Sequence, residues 1–128
     1  MATSNLPPSN LAVCWLLGAM SILGLSPTRA HIAAVAWQMP DRPVVQNADA
    51  APAESVVGIA DALVRQLYLP VRWTDCVQAL AARGATHVAE CGPGKVLSGL
   101  VKRIDKSLDA RALGAPADFE ATLAEWKN

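Results

Sequence analysis

After residue 28, apolar positions recur at spacings that sort the chain into helices and short strands. In RAHIAAVAW, residues 29–37, Ile32, Val35 and Ala36 share one side, which predicts a helix closed by Pro40 and Pro43. PVV, residues 43–45, predicts a short strand running into QNADA. Pro52 suits the first turn of a helix. Beyond it Val56, Ile59, Ala60, Leu63, Val64 and Leu67 fall in one arc at about 100° per residue. Asp61 and Arg65 lie opposite as an i,i+4 pair, and Leu69 with Pro70 stops the helix. Thr74 is the expected N-cap of TDCVQALAARG, with Val77, Leu80 and Ala81 inward and Gly84 as its C-terminal cap. THVAEC then reads as a strand, residues 96–108 as an amphipathic helix, and ARALG as a last strand. Pro116 opens a closing helix carrying Phe119, Leu123 and Trp126.

Short apolar strands separated by helices predict an α/β fold with at least partly parallel pairing. Two or three strands make a thin sheet, so the chain reads as part of a larger one. Its exposed strand edges predict poor solubility.

Composition narrows the function classes. A chain of 128 residues is one domain at most. Eleven basic residues balance eleven acidic ones, which argues against binding nucleic acid or an anionic membrane. All charges lie between Arg29 and Lys127, so the chain divides into an uncharged apolar leader, residues 1–28, and a charged body, residues 29–128. The apolar run Leu11–Leu25 falls short of the roughly 20 residues a membrane span needs. As a signal for export it lacks the basic start, since MATSNLPPSN has neither Lys nor Arg. Cys14, Cys76 and Cys91 show no metal-ligand spacing and read as free buried thiols in a reducing compartment, so no metal is expected and the cytoplasm is.

ECGPGKVL, residues 90–97, has the layout of a phosphate cradle: strand, glycine turn, lysine, helix. The pattern fails in detail. Gly92 and Gly94 are two apart, and Val96 follows the lysine where a magnesium-binding hydroxyl is required. Leu97 stands where a dinucleotide loop needs its third glycine. A tight strand-to-helix turn fits better. Behind it Lys95, Lys102 and Lys106 fall within about 40° of one another on a helical wheel, with Arg103 beside them. Such an edge is either a solvated face or a docking strip for an acidic partner.

PVVQNADA, then DALVRQLYLPVRW, then ECGPGKVLSGLVKRIDKSL resemble, in this order, the C-terminal part of bacterial malonyl-CoA:acyl carrier protein transacylases. The resemblance runs from about Arg29 to Trp126. It implies the closing part of an α/β-hydrolase-like acyltransferase domain, acting in fatty-acid biosynthesis without a cofactor. Malonyl-CoA would be the substrate and acyl carrier protein the partner. In that family a serine on a GHSxGE-type elbow carries the acyl group, a histidine is its base and an arginine pairs with the malonyl carboxylate. The glutamine of VRQLY offers its backbone carbonyl to that histidine. The position here is Gln66, whose place on the wheel also suits an exposed helix-boundary residue. The resemblance puts Gly94 and Val96 beside the acyl-transfer cleft and makes Lys102, Arg103 and Lys106 contacts for the acidic carrier protein.

The departures bear on activity. None of Ser4, Ser9, Ser21, Ser26, Ser55, Ser98 and Ser107 sits in GxSxG, and neither His31 nor His87 has the context of the family's base. The expectation is a chain inert alone, from an open reading frame that is truncated or enters the gene from another frame. A non-catalytic carrier-protein-binding module and an exported small protein are the alternatives.

Overall fold

The computed structural model describes residues 13–15 and 25–126. They fall into two compact units, the first ending at Leu80 and the second beginning at Ala81. Apart from residues 13–15 and 25–28, the apolar leader lies outside the described residues.

The first unit holds β1 (Val13–Trp15), α1 (Leu25–Ala34), β2 (Val44–Gln46), β3 (Ala51–Pro52), α2 (Val56–Arg65) and all but the last two residues of α3 (Trp73–Ala82). Its sheet has the order β1-β2-β3, with β1 parallel and β3 antiparallel to β2. The turn from β2 to β3 closes where the Ala50 amide donates to the Gln46 carbonyl at 2.8 Å, with Ala50 at φ +52°. Val45, Ala48, Ile59, Ala62, Leu67, Cys76, Val77 and Leu80 are buried apolar residues in it.

Two expected helix starts are corrected here. Pro52 belongs to β3, and the Ser55 hydroxyl caps α2 instead, accepting from the Gly58 amide at 3.1 Å. Thr74 sits inside the first turn of α3 rather than at its cap. Buried Asn47 accepts from the Arg72 amide at 2.8 Å, and the Arg72 carbonyl takes the Cys76 amide at 2.9 Å, so the helix starts at Trp73. The first helix also begins earlier than the periodicity indicated and ends before Val35, which is exposed.

The second unit is a β–α–β crossover with a closing helix: β4 (His87–Cys91), α4 (Val96–Ile104), β5 (Asp109–Leu113) and α5 (Pro116–Trp126). β4 and β5 pair in parallel from His87↔Asp109 to Cys91↔Leu113. Parallel pairs need a crossover, and α4 supplies it. Val101, Leu108 and Ala110 are buried between the layers. α4 stops at Ile104, short of residue 108, because Asp105 turns the chain: its Oδ1 accepts from the Ser107 amide at 2.9 Å and hydroxyl at 2.6 Å. On α5 Phe119 is 51% exposed, and Thr122 takes the buried place. Trp126 sets that rotation by donating from Nε1 to Asp109 Oδ2 at 2.8 Å, while Arg111 pairs with Glu125. Cys76 is buried as expected, but Cys91, at the open end of β4, is exposed. No described helix is long and apolar enough to cross a membrane.

Candidate functional site

The glycine turn is built by backbone demands. Gly92 and Gly94 adopt φ +138° and +116°, which L side chains rarely adopt, although an added Cβ would meet nothing within 4 Å. Lys95, at the N-cap of α4, offers no side-chain cap. Glu90 at the end of β4 fills that role: its carboxylate accepts from the Ser98 amide at 2.8 Å and the Leu97 amide at 3.2 Å. Burial alone would raise the Glu90 carboxyl, but the bonds from Ser98 and Leu97 outweigh it and hold the group below its ordinary value. Two N–H groups of the first turn are therefore already donated to a carboxylate, which argues against a phosphate there.

The expected basic strip is only partly a helical feature. Lys102 and Arg103 lie in the last turn of α4, exposed and favourably placed at the negative end of its dipole. Lys106 lies in the turn past Asp105, so helical spacing does not apply to it, and Lys95 stands at the opposite end. Gly94 is exposed, as is Val96, at 70%.

Gln66 is the C-cap of α2, its amide donating to the Ala62 carbonyl at 3.0 Å. It is 3% exposed, so it is not the water-facing boundary glutamine that its wheel position allowed. No described residue donates to its backbone carbonyl. Its side-chain amide is likewise buried without a hydrogen-bond partner, as are Gln46 Oε1 and Trp73 Nε1. The neighbouring Arg65 fixes the segment. Its terminal nitrogens donate to Asp49 at 2.7 and 2.6 Å and its Nε donates to Asp61 at 2.6 Å. The hydrogen bond from Arg65 holds the Asp49 carboxyl below the usual range, and the two carboxylates push the guanidinium above its own.

Gln66 thus belongs to the first unit, and Gly94, Val96, Lys102, Arg103 and Lys106 to the second. His87 shares a 2.8 Å hydrogen bond with the Thr86 hydroxyl and meets the Trp126 ring edge-on at 4.8 Å, a packing role. Among the described residues no group of three His, Cys, Asp or Glu side chains could hold a metal ion. Reading the sequence missed Glu90 as a cap, Asp49 as the partner of Arg65 and Asn47 as the anchor of Arg72. Each bond spans several to many residues, and no local pattern marks its ends.

Parallel strands crossed over by an amphipathic helix behind a glycine turn place the chain in the α/β class of acyltransferase folds. No family model matches it. The chain is 48% identical over 95 residues to the malonyl CoA-acyl carrier protein transacylase of Salmonella typhimurium, a match covering 74% of this chain and 31% of that protein. With the Bacillus subtilis protein of the same name it shares 39% identity over 87 residues, 68% of this chain and 27% of the other. The crystal structure of malonyl-CoA:acyl carrier protein transacylase from Xanthomonas oryzae superposes with a TM-score of 0.74 at 56% identity, covering 79% of this chain and 32% of that one. A malonyl-transacylase in complex with its type II PKS acyl-carrier protein also matches at 0.74, with 38% identity over 79% of this chain and 33% of that one. The chain belongs to the malonyl CoA-acyl carrier protein transacylase family, and it spans 31% of the length of the first curated relative it matches.

Proposed function

We propose that the chain supplies the part of a malonyl CoA-acyl carrier protein transacylase that carries the Gln66 carbonyl and the basic end of α4, and that alone it transfers no malonyl group. The observation that carries this reading is the 48% identity extending over 74% of the chain. The Gln66 carbonyl supports it: an acceptor with no described donor suits the N–H of a histidine, whose ring orientation and tautomer such a bond would set. Acyl transfer through a covalent intermediate needs an activated hydroxyl and a base. The 128 residues contain no GxSxG serine and no histidine in the family's context.

In this reading malonyl-CoA is the donor, no further cofactor takes part, and Gly94 and Val96 border the cleft. Lys102, Arg103 and Lys106 meet the acidic carrier protein, steered by charge. The solved complex of a related transacylase with its acyl-carrier protein supports a partner of that kind. We read residues 29–128 as the acyltransferase portion, residues 1–28 as an unrelated leader, and the cytoplasm as its compartment.

Incubating the purified chain with radiolabelled malonyl-CoA and holo carrier protein tests the catalytic half. Background transfer is expected, and stoichiometric malonylation of the chain overturns it. Titration of labelled carrier protein at low salt tests docking. Saturable binding that weakens as salt rises is expected, and its absence at low salt removes this half of the reading.

A further inference from the structure

The closing helix α5 is fastened to its sheet mainly by polar groups. Thr122 is buried, Leu123 and Trp126 are half-buried, and the other residues of Pro116–Trp126 are exposed, Phe119 included. Ala121 and Thr122 face Ala110 and Ala112 of β5 across a groove of about 330 Å³. Side chains this small, set across an open groove, bury little apolar area, so the hydrophobic effect holds the helix weakly. The polar contacts lie at its two ends. At the C-terminal end Trp126 Nε1 donates to Asp109 Oδ2 at 2.8 Å, and the Trp126 ring stands edge-on to His87 at 4.8 Å. Arg111 pairs there with Asp109, at 3.2 Å, and with Glu125. At the N-terminal end Asp118 Oδ2 accepts from the Gly114 amide at 3.1 Å and the Ala115 amide at 2.9 Å. The two ends differ in kind. Asp118 ties the first turn of the helix to the residues just before it, whereas Trp126 and Glu125 tie the last turn to the sheet.

We propose that α5 is a strap, hinged at Gly114–Ala115 and latched at Trp126, that lifts off β5 as a unit while the β4–α4–β5 body stays folded. Isolated helices shorter than about 12–15 residues are marginal in water. With 11 residues, α5 keeps its internal hydrogen bonds only while docked, so lifting and melting are one event. The body beneath has ties of its own: the β4–β5 ladder from His87↔Asp109 to Cys91↔Leu113, and Val101 of α4, 1% exposed. Lifting removes one wall of the groove, so the latch sets access to β5. The inference rests on the contacts of α5 and stands whether or not the transacylase reading holds.

The test is native-state hydrogen exchange of the 128-residue chain, read amide by amide, with the β4–β5 ladder as the internal reference for global unfolding. The amides of Glu120 to Trp126 are expected to share one opening constant, about tenfold or more above that of the ladder. Trp126→Phe keeps a ring beside His87 and removes the N–H that Asp109 accepts. It should raise the α5 constant about fivefold and leave the ladder unchanged. Arg111→Met, which releases both Asp109 and Glu125, should act in the same direction. Equal constants for α5 and the ladder would make the helix integral to the body and overturn the proposal. Constants that climb stepwise toward Trp126 would show fraying from the end and overturn it too. So would a Trp126→Phe effect shared by the ladder, which a merely structural loss would give, or no effect of either variant on α5.

Discussion

Arg65 grips Asp49 with both terminal nitrogens, at 2.7 and 2.6 Å, across sixteen residues of chain. With its Nε on Asp61, it ties the turn after β2 to the end of α2, one residue before Gln66. The pairs are partly exposed, so each is worth about 0.2–1 kcal/mol. Arg65→Met is expected to lower stability by about 1 kcal/mol in urea unfolding. Arg65→Lys, which keeps the charge but loses the fork, should lose about half as much. Equal stability of the lysine variant and the parent would show that the planar fork is not what ties the turn down.

Glu90 caps α4 from the preceding strand, and removing a cap typically costs about 1 kcal/mol. Glu90→Ala should show that loss. Acid should mimic it. Asp49, Glu90 and Asp109 are all held below their ordinary values, chiefly by Arg65 for Asp49 and by Trp126 and then Arg111 for Asp109. For Glu90, burial opposes the lowering and the amide bonds prevail. A carboxylate with a depressed folded pKa stabilises fully above its unfolded value, and the benefit disappears as pH falls through the folded one. Thermal midpoints should therefore hold steady from pH 7 to about 5 and drop below that. In Glu90→Gln the drop should be shallower, and an identical acid profile would remove Glu90 from the account.

Leu80 is 4% exposed in the core of the first unit, whereas Val57 on α2 is 78% exposed. Leu80→Ala should cost about 3 kcal/mol through lost burial and the cavity it leaves. Val57→Ala should stay within about 0.5 kcal/mol. Denaturant titration of the two variants checks the contrast, and similar losses would mean that a partner covers α2 in solution.

Gly94 holds φ +116° in open space, so its substitution by alanine meets strain but no clash. Gly94→Ala should destabilise by about 1–2 kcal/mol. Its amide shift changes should stay between Glu90 and Ser98. A neutral result would mean that the turn relaxes into another conformation.

Much of this architecture is written locally in the sequence. The inward face of Ile59 on α2, the Asp61–Arg65 pair and the glycine turn were legible because their determinants lie within a few residues of one another. The family that three motifs suggested is the one whose Salmonella typhimurium member is 48% identical over 95 residues. What escaped depends on distance along the chain. Arg72 is positioned by Asn47, α4 is capped by Glu90, and α5 is rotated by the grip of Trp126 on Asp109. Periodicity also overran the end of α4, because the Asp105–Ser107 turn competes with the helix and moves Lys106 off the basic edge. Burial of Gln66 was hidden for a related reason: a wheel describes a helix, and the cap stands just outside it.

The parallel ladder between β4 and β5 fixes an order of events as well as a shape. Its first rung joins His87 to Asp109, so the whole α4 segment must be spanned before any rung forms. A loop of that length is closed at an entropic cost repaid only by later contacts, which slows assembly relative to a hairpin. Synthesis compounds the delay, since β5 leaves the ribosome after α4 is complete. In that interval β4 is an unzipped strand with a bare thiol, Cys91, at its tip, and the time it waits sets its chance of being captured by a stranger.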